Sequence, residues 1–270
     1  MQYAMRNIKN SNLIDGISNY CDRWCERCLF TQRCEIFLND SALSDAQRDP
    51  EKPEFWDNLS QTFADNIEKL LQLAEQHGIE LDLEPTETTQ KTTQKIQQKI
   101  AKQTQIAEKK ITPNQHLEQL SRRYATDSEA FFNRNEAFFL EIEQDLLKKV
   151  ALELPIDETA LLHLKDAMEV IQWYRFFIAA KVHRALSGLT WVNDFTLDID
   201  PVQNDSNGSA KAALLAIEKS LAAWETVCRF FPEKTDDLLR ILASLSRQHR
   251  LVLQIFPNAK RFTRPGFDRK

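Results

Sequence analysis

The chain has 270 residues, five glycines, five cysteines and a formal net charge of −5. That length accommodates one large domain or two small ones, with a core that needs no disulfides. The acidic balance gives no global electrostatic case for nucleic-acid or membrane binding, and no apolar run reaches the roughly eighteen residues of a membrane span. Average usage would supply roughly nineteen glycines, so folds that consume glycine at many turns and phosphate loops are disfavoured. The expected fold class is all-α: a helical bundle of four to five long helices with a small N-terminal four-cysteine module.

Residues 1–17 read as a short irregular lead without the apolar core of a secretory signal, and Ser18 stands where it would cap a turn. The thiols are therefore expected in a reducing, cytoplasmic setting, where clustered cysteines mean metal or redox chemistry. Cys21, Cys25, Cys28 and Cys34 follow within fourteen residues and define a module over 1–45. Pro50 and Pro53 mark a loop over 40–54. A helix is expected over 54–77, with an apolar stripe of Trp56, Leu59, Phe63, Ile67, Leu70, Leu71 and Ala74 and a stop at Gly78. It would pack on the bundle as part of a segment 46–83.

Residues 84–112 are rich in Thr, Gln and Lys and poor in large apolar groups, the composition of a linker or frayed helix. The bundle proper is expected over 113–258. Its helices read as 127–152, 157–186 ending at Gly188, 209–230 and 236–255. Pro155 and Asp157 mark the first join, residues 187–208 form a long connection, Pro232 breaks the third helix and Thr235 is expected to cap the fourth. The tail 259–270 is basic and expected to be mobile, and Cys228 reads as an ordinary buried thiol.

The cysteine spacing is Cys-x3-Cys-x2-Cys-x5-Cys. Thiolates are soft donors that select zinc or iron–sulfur clusters over magnesium or calcium. Structural zinc usually takes two well-separated Cys-x2-Cys knuckles, whereas this segment has one such pair crowded by two outer cysteines. A [4Fe–4S] cluster suits one compact wrap of uneven spacing and is favoured; zinc is the alternative, and a pair of disulfides stays open. Arg23, Arg27 and Arg33 interleave with the thiols. They either donate hydrogen bonds to sulfur or pair with Asp22, Glu26 and Glu35. Trp24 and Phe30 are expected to dock the module onto the bundle.

The run Cys25-x2-Cys28-x5-Cys34 resembles the iron–sulfur loops of endonuclease-III-type glycosylases and WhiB-like regulators, without the helix–hairpin–helix motif of the former. Cys21-x3-Cys25-x2-Cys28 matches the triplet of radical S-adenosylmethionine enzymes, but Cys34 would fill the open iron position and no β/α barrel is legible. The wording Cys-Asp-Arg-Trp-Cys-Glu-Arg-Cys-x-Phe-Thr-x-Arg-Cys resembles a group of bacterial helical proteins of unassigned function. That resemblance implies a shared metal module in which Cys21, Cys25, Cys28 and Cys34 are the ligands, and it implies no activity.

Two further functions are carried as expectations. A bundle enzyme would use Glu136 and Glu143, which lie along the edge of one apolar stripe, or Glu169 and His183, which share the narrow polar arc of the helix 157–186. No Glu-x-x-His of a di-iron bundle is present, and His163 with Asp166 reads as a surface pair. A nucleic-acid or protein adaptor would use the basic tail, with Phe262 and Phe267 stacking or docking.

Overall fold

The structure, a computed structural model, describes residues 12–76, 111–194 and 200–268, leaving aside the side chains of 73 and 190–194. The chain divides into two compact units, Met1–Glu35 with Ile111–Lys270, and Ile36–Lys110. Among the described residues there are no strands and eight α-helices, not the four to five expected: α1 Glu35–Ser41, α2 Asp45–Arg48, α3 Pro53–Gln76, α4 Pro113–Arg134, α5 Glu136–Ala151, α6 Glu158–Asp194, α7 Asp205–Phe230 and α8 Thr235–Ile255. No described helix is long and apolar enough to cross a membrane.

In the smaller unit, α2 starts on a reciprocal cap. The Gln47 amide donates to Ser44 Oγ at 3.3 Å and the Ser44 amide to Gln47 Oε1 at 3.0 Å, satisfying two donors that a helix start leaves open. The apolar stripe of α3 exists at helical spacing, yet Trp56, Phe63, Ile67 and Leu70 are each more than half exposed while Ala74 is buried. Gly78 and the expected linker up to residue 110 lie outside the described residues.

The larger unit is a four-helix arrangement in which α4 packs on α6 and α8, and α7 packs on the same two. The helices depart from the expectation in three ways, of which the second and third account for the larger count. Helix α4 begins fourteen residues before the expected Asp127. Thr112, the last residue of the expected linker, caps it: Gln115 N donates to Thr112 Oγ1 at 3.3 Å and Thr112 N to Gln115 Oε1 at 3.1 Å, with Pro113 at the first helical position. Its buried face includes Ser121 and Ser128 beside Leu117, Tyr124 and Phe131, so small polar residues hide the period of the stripe. Second, the expected helix 127–152 is two helices. Asn135 leaves helical geometry (φ −107°, ψ 13°) and its side-chain amide donates to the Phe131 carbonyl at 2.8 Å, ending α4. The following helix, α5, has no fully buried residue and lies at the rim. Third, the cysteine segment runs into two short helices, α1 and α2.

Two glycines read as breaks are packing notches instead. Helix α6 runs through Gly188 to Asp194, and a Cβ at Gly188 would stand 2.2 Å from Ser206 Oγ. Helix α7 starts at Asp205, capped by Asn204 Oδ1 accepting from Asn207 N at 2.9 Å, and includes Gly208, where a Cβ would meet the Tyr20 ring at 2.3 Å and Phe262 at 2.7 Å. The expected long connection 187–208 is thus helical at both ends, up to Asp194 and from Asp205. Neither expected hydroxyl cap forms. Thr235 is the first residue of α8, its Oγ1 donating to the Pro232 carbonyl at 2.5 Å; Ser18 lies within a single 3₁₀ turn, Ile17–Asn19, entered from Gly16.

The core is centred on Trp224, fully buried, whose Nε1 donates to Tyr124 Oη at 3.0 Å and whose indole meets Phe131 edge-on at 5.3 Å. Ile171, Ile178, Ile217, Leu238 and Leu245 complete it. Burial of such side chains supplies roughly 1.5–3 kcal/mol each.

The basic tail is docked, not mobile. Phe262 and Ala259 are buried, Gln203 and Thr263 exchange backbone–side-chain hydrogen bonds at 2.7 and 3.0 Å, and Asp268 is held by Lys211 at 2.6 Å and Arg264 at 3.1 Å. Burial acts to raise the Asp268 carboxyl, but the hydrogen bonds from Arg264 and Lys211 prevail and bring it down to about 2. A depressed carboxylate pKa stabilises the fold above the ordinary value of about 3.9, and that contribution is lost as pH falls towards the folded value. Asp268→Asn is expected to lower stability at neutral pH and to flatten its decline between about pH 4 and pH 2, read by urea unfolding across that range.

Candidate metal centre

Three single-turn 3₁₀ helices, Ile17–Asn19, Cys25–Arg27 and Thr31–Arg33, carry the cysteine segment. Cys25 opens the second turn and Cys28 closes it, the Cys28 amide donating to the Cys25 carbonyl at 3.1 Å; Cys34 closes the third in the same way at 3.2 Å. Arg23 sits in the left-handed region at φ 60°, uncommon for a residue with a Cβ.

All four thiols are half-buried and free of disulfides. The Phe30 amide points at Cys28 Sγ at 3.4 Å. Burial pushes the Cys21 thiol up, and the Arg23 amide opposes that by favouring the thiolate. Two cysteines thus each feel a backbone N–H from the residue two places on. Burial also pushes the Cys25 thiol up, and the charges of Cys21, Cys28 and Cys34 act in the same direction. The quartet shares one electrostatic neighbourhood. Among the described residues, no three or more His, Cys, Asp or Glu side chains are arranged to hold a metal ion.

The residues between the cysteines fix the segment to the bundle. The Asp22 carboxylate accepts from Tyr174 Oη at 2.6 Å and Lys219 Nζ at 3.1 Å, while its carbonyl accepts from Trp173 Nε1 at 2.9 Å. Burial acts to raise the Asp22 carboxyl; the Tyr174 and Lys219 hydrogen bonds outweigh it and the net shift is downward. Trp24 stacks on Trp173 with ring centroids 4.9 Å apart. Arg27 lies 3.8 Å over Trp24 and forks between Asp166 at 2.6 Å and Glu169 at 2.5 Å. Neither expected role for the interleaved cations is realised at Arg27 or Arg33: Arg27 grips α6, and Arg33 Nε donates to the Asn12 carbonyl at 2.9 Å. Phe30 meets Phe267 of the tail edge-on at 5.1 Å.

A cleft of about 490 Å³ adjoins this clamp, bordered by Trp24, Arg27, His163, Tyr174 and Lys219. A second cavity of about 280 Å³ reaches Cys28.

The other sequence candidates are not brought together. Glu136 and Glu143 are exposed, on a helix whose Phe138, Phe139 and Ile142 pack against the core. Glu169 is committed to Arg27, and exposed His183 pairs with Glu118 at 3.0 Å. Cys228 is half-buried, with Thr235 Oγ1 3.8 Å from its sulfur. Sequence reasoning missed Asp22, Tyr174 and Lys219. The available signal was a tyrosine in the most apolar helix and a lysine among the alanines of α7.

Asp22→Ala leaves the Tyr174 hydroxyl and the Lys219 ammonium without their acceptor, so a loss of about 1–3 kcal/mol is expected. Combined with Tyr174→Phe, the losses should be non-additive. Urea unfolding of the two single variants and the double variant measures both effects. Comparisons of this chain with protein-family models, curated proteins and solved structures found no match.

Proposed function

We propose that Cys21, Cys25, Cys28 and Cys34 hold a metal centre, a [4Fe–4S] cluster in preference to zinc, that serves a structural or redox-sensing role in this helical protein. The observation that carries this is four half-buried, unbridged thiols within fourteen residues, on a segment anchored at Asp22, Trp24 and Arg27. Like charges so close are unfavourable unless protons or a cation offset them. Amide N–H groups aimed at sulfur, as at Cys28, are the outer-layer contacts that tune such centres. The donor set fits a soft metal, and the single Cys-x2-Cys pair favours a cluster over a structural zinc with two knuckles.

When bound, the cluster would supply one-electron redox chemistry or a rigid cross-link. The chain's own residues do the rest: Arg27 neutralises Asp166 and Glu169, Tyr174 and Lys219 hold Asp22, and Trp24 covers one side of the loop. The segment therefore couples the centre to α6 and α7. A reducing compartment and a shared module with the bacterial helical group belong to the same proposal. The bundle-enzyme reading has no support in the positions of Glu136, Glu143, Glu169 and His183, and the adaptor reading loses its free tail.

Anaerobic purification tests this. The expected product carries about four iron and about four sulfide per chain, absorbs broadly in the visible and bleaches on reduction; each Cys→Ser variant should lose iron. Stoichiometric zinc in a colourless protein would overturn the cluster and keep the site. Neither metal, with four freely alkylated thiols, would overturn both.

A further inference from the structure

The acidic chain concentrates positive charge in one groove of the bundle, remote from the cysteines in sequence. Between α4 and α8 lies a cavity of about 480 Å³ lined by Arg123, Arg134, Arg240 and Arg247 together with Asp127 and Asp237. Four guanidiniums against two carboxylates leave an excess of two positive charges. Arg123 pairs with Asp127 at 3.3 Å and Arg240 with Asp237 at 3.8 Å. Arg134 and Arg247 have no hydrogen-bond or ion-pair partner among the described residues. The two cations of α8 are seven residues apart, about 10 Å along the helix, and those of α4 are eleven apart, about 16 Å. The groove thus presents guanidiniums along both walls.

We propose that this groove binds a compact oligophosphate, a small ligand bearing two or more adjacent phosphate groups. Guanidinium forks match phosphate oxygens in paired hydrogen bonds and carry their charge at any ordinary pH. A cavity of this size suits a small molecule. The walls include no aromatic ring, so bases of a single-stranded nucleic acid would find no stacking platform. Asp127 and Asp237 align Arg123 and Arg240 and limit the affinity by repelling the ligand. Arg134 and Arg247 are exposed, so their guanidiniums are open to an incoming anion.

Isothermal titration of the full-length protein with inorganic tripolyphosphate tests the site. Saturable binding of one ligand per chain is expected at low ionic strength, weakening as salt rises. Arg134→Gln and Arg247→Gln should each weaken it about tenfold with helical circular dichroism unchanged. Asp127→Asn should tighten it, an effect that loss of a merely structural contact would not produce. Arg229→Gln, which removes only an i,i+4 surface pair with Glu225, should leave it unchanged. No saturable binding would overturn the proposal, as would an equal loss in Arg229→Gln. So would a mixed-sequence single-stranded oligonucleotide that binds through Arg134 and is not displaced by tripolyphosphate.

Discussion

The close approach of α7 to its neighbours is the constraint on which the larger unit depends. Ala212, Ala213, Ala216 and Ala223 are buried along this helix, and Gly208 leaves a notch that any Cβ would fill. Into that one notch fit Tyr20 from the cysteine segment and Phe262 from the tail, which meet edge-on at 4.6 Å. Small residues let backbones and rings come close, and dense packing then supplies dispersion contacts that a larger side chain would abolish. Gly188 performs the same service for Ser206 on the other side. Of the four described glycines, Gly188 and Gly208 thus serve close contact, while Gly16 and Gly266 hold turns at positive φ.

The second constraint is the Asp22 carboxylate. It is taken partly out of water, which is costly unless its oxygens are satisfied. Tyr174 and Lys219 satisfy it from two different helices, and Lys219 also donates to Tyr174 Oη at 2.8 Å. The segment that carries the thiols is therefore not a loose appendage. Its backbone path is tied to α6 by Trp24, Arg27 and the Asp22 carbonyl, and to α7 by Lys219. Any change at the thiols that moved this path would have to break partly buried hydrogen bonds.

Charge is distributed with the same economy. Some exposed cations are neutralised within a turn of their own helix, as Arg122 is by Glu118 and Arg229 by Glu225. Such pairs contribute little to stability, but they leave the surface quiet. What distinguishes the groove between α4 and α8 is that four arginines and two aspartates line one cavity.

Local chemistry was legible before any coordinates. The helical class followed from five glycines in 270 residues, and the thiol quartet, the Pro232 break and the apolar character of α6 followed from spacing and residue type. Helix boundaries were misread where a residue's role depends on what faces it. Gly188 and Gly208 have the composition of breaks, yet they are helical because Ser206 and Tyr20 press against them. Asn135 has no breaking signature in the apolar period, yet it ends α4 by bonding back to Phe131. Glu136 and Glu143 share a stripe edge in sequence, but they meet water while Phe138, Phe139 and Ile142 face the core. Periodicity and donor type thus determined the elements and the candidate ligands. Tertiary structure alone decided which cations grip which carboxylates, because Asp22 and Lys219 lie 197 residues apart and no local pattern encodes a contact across that distance.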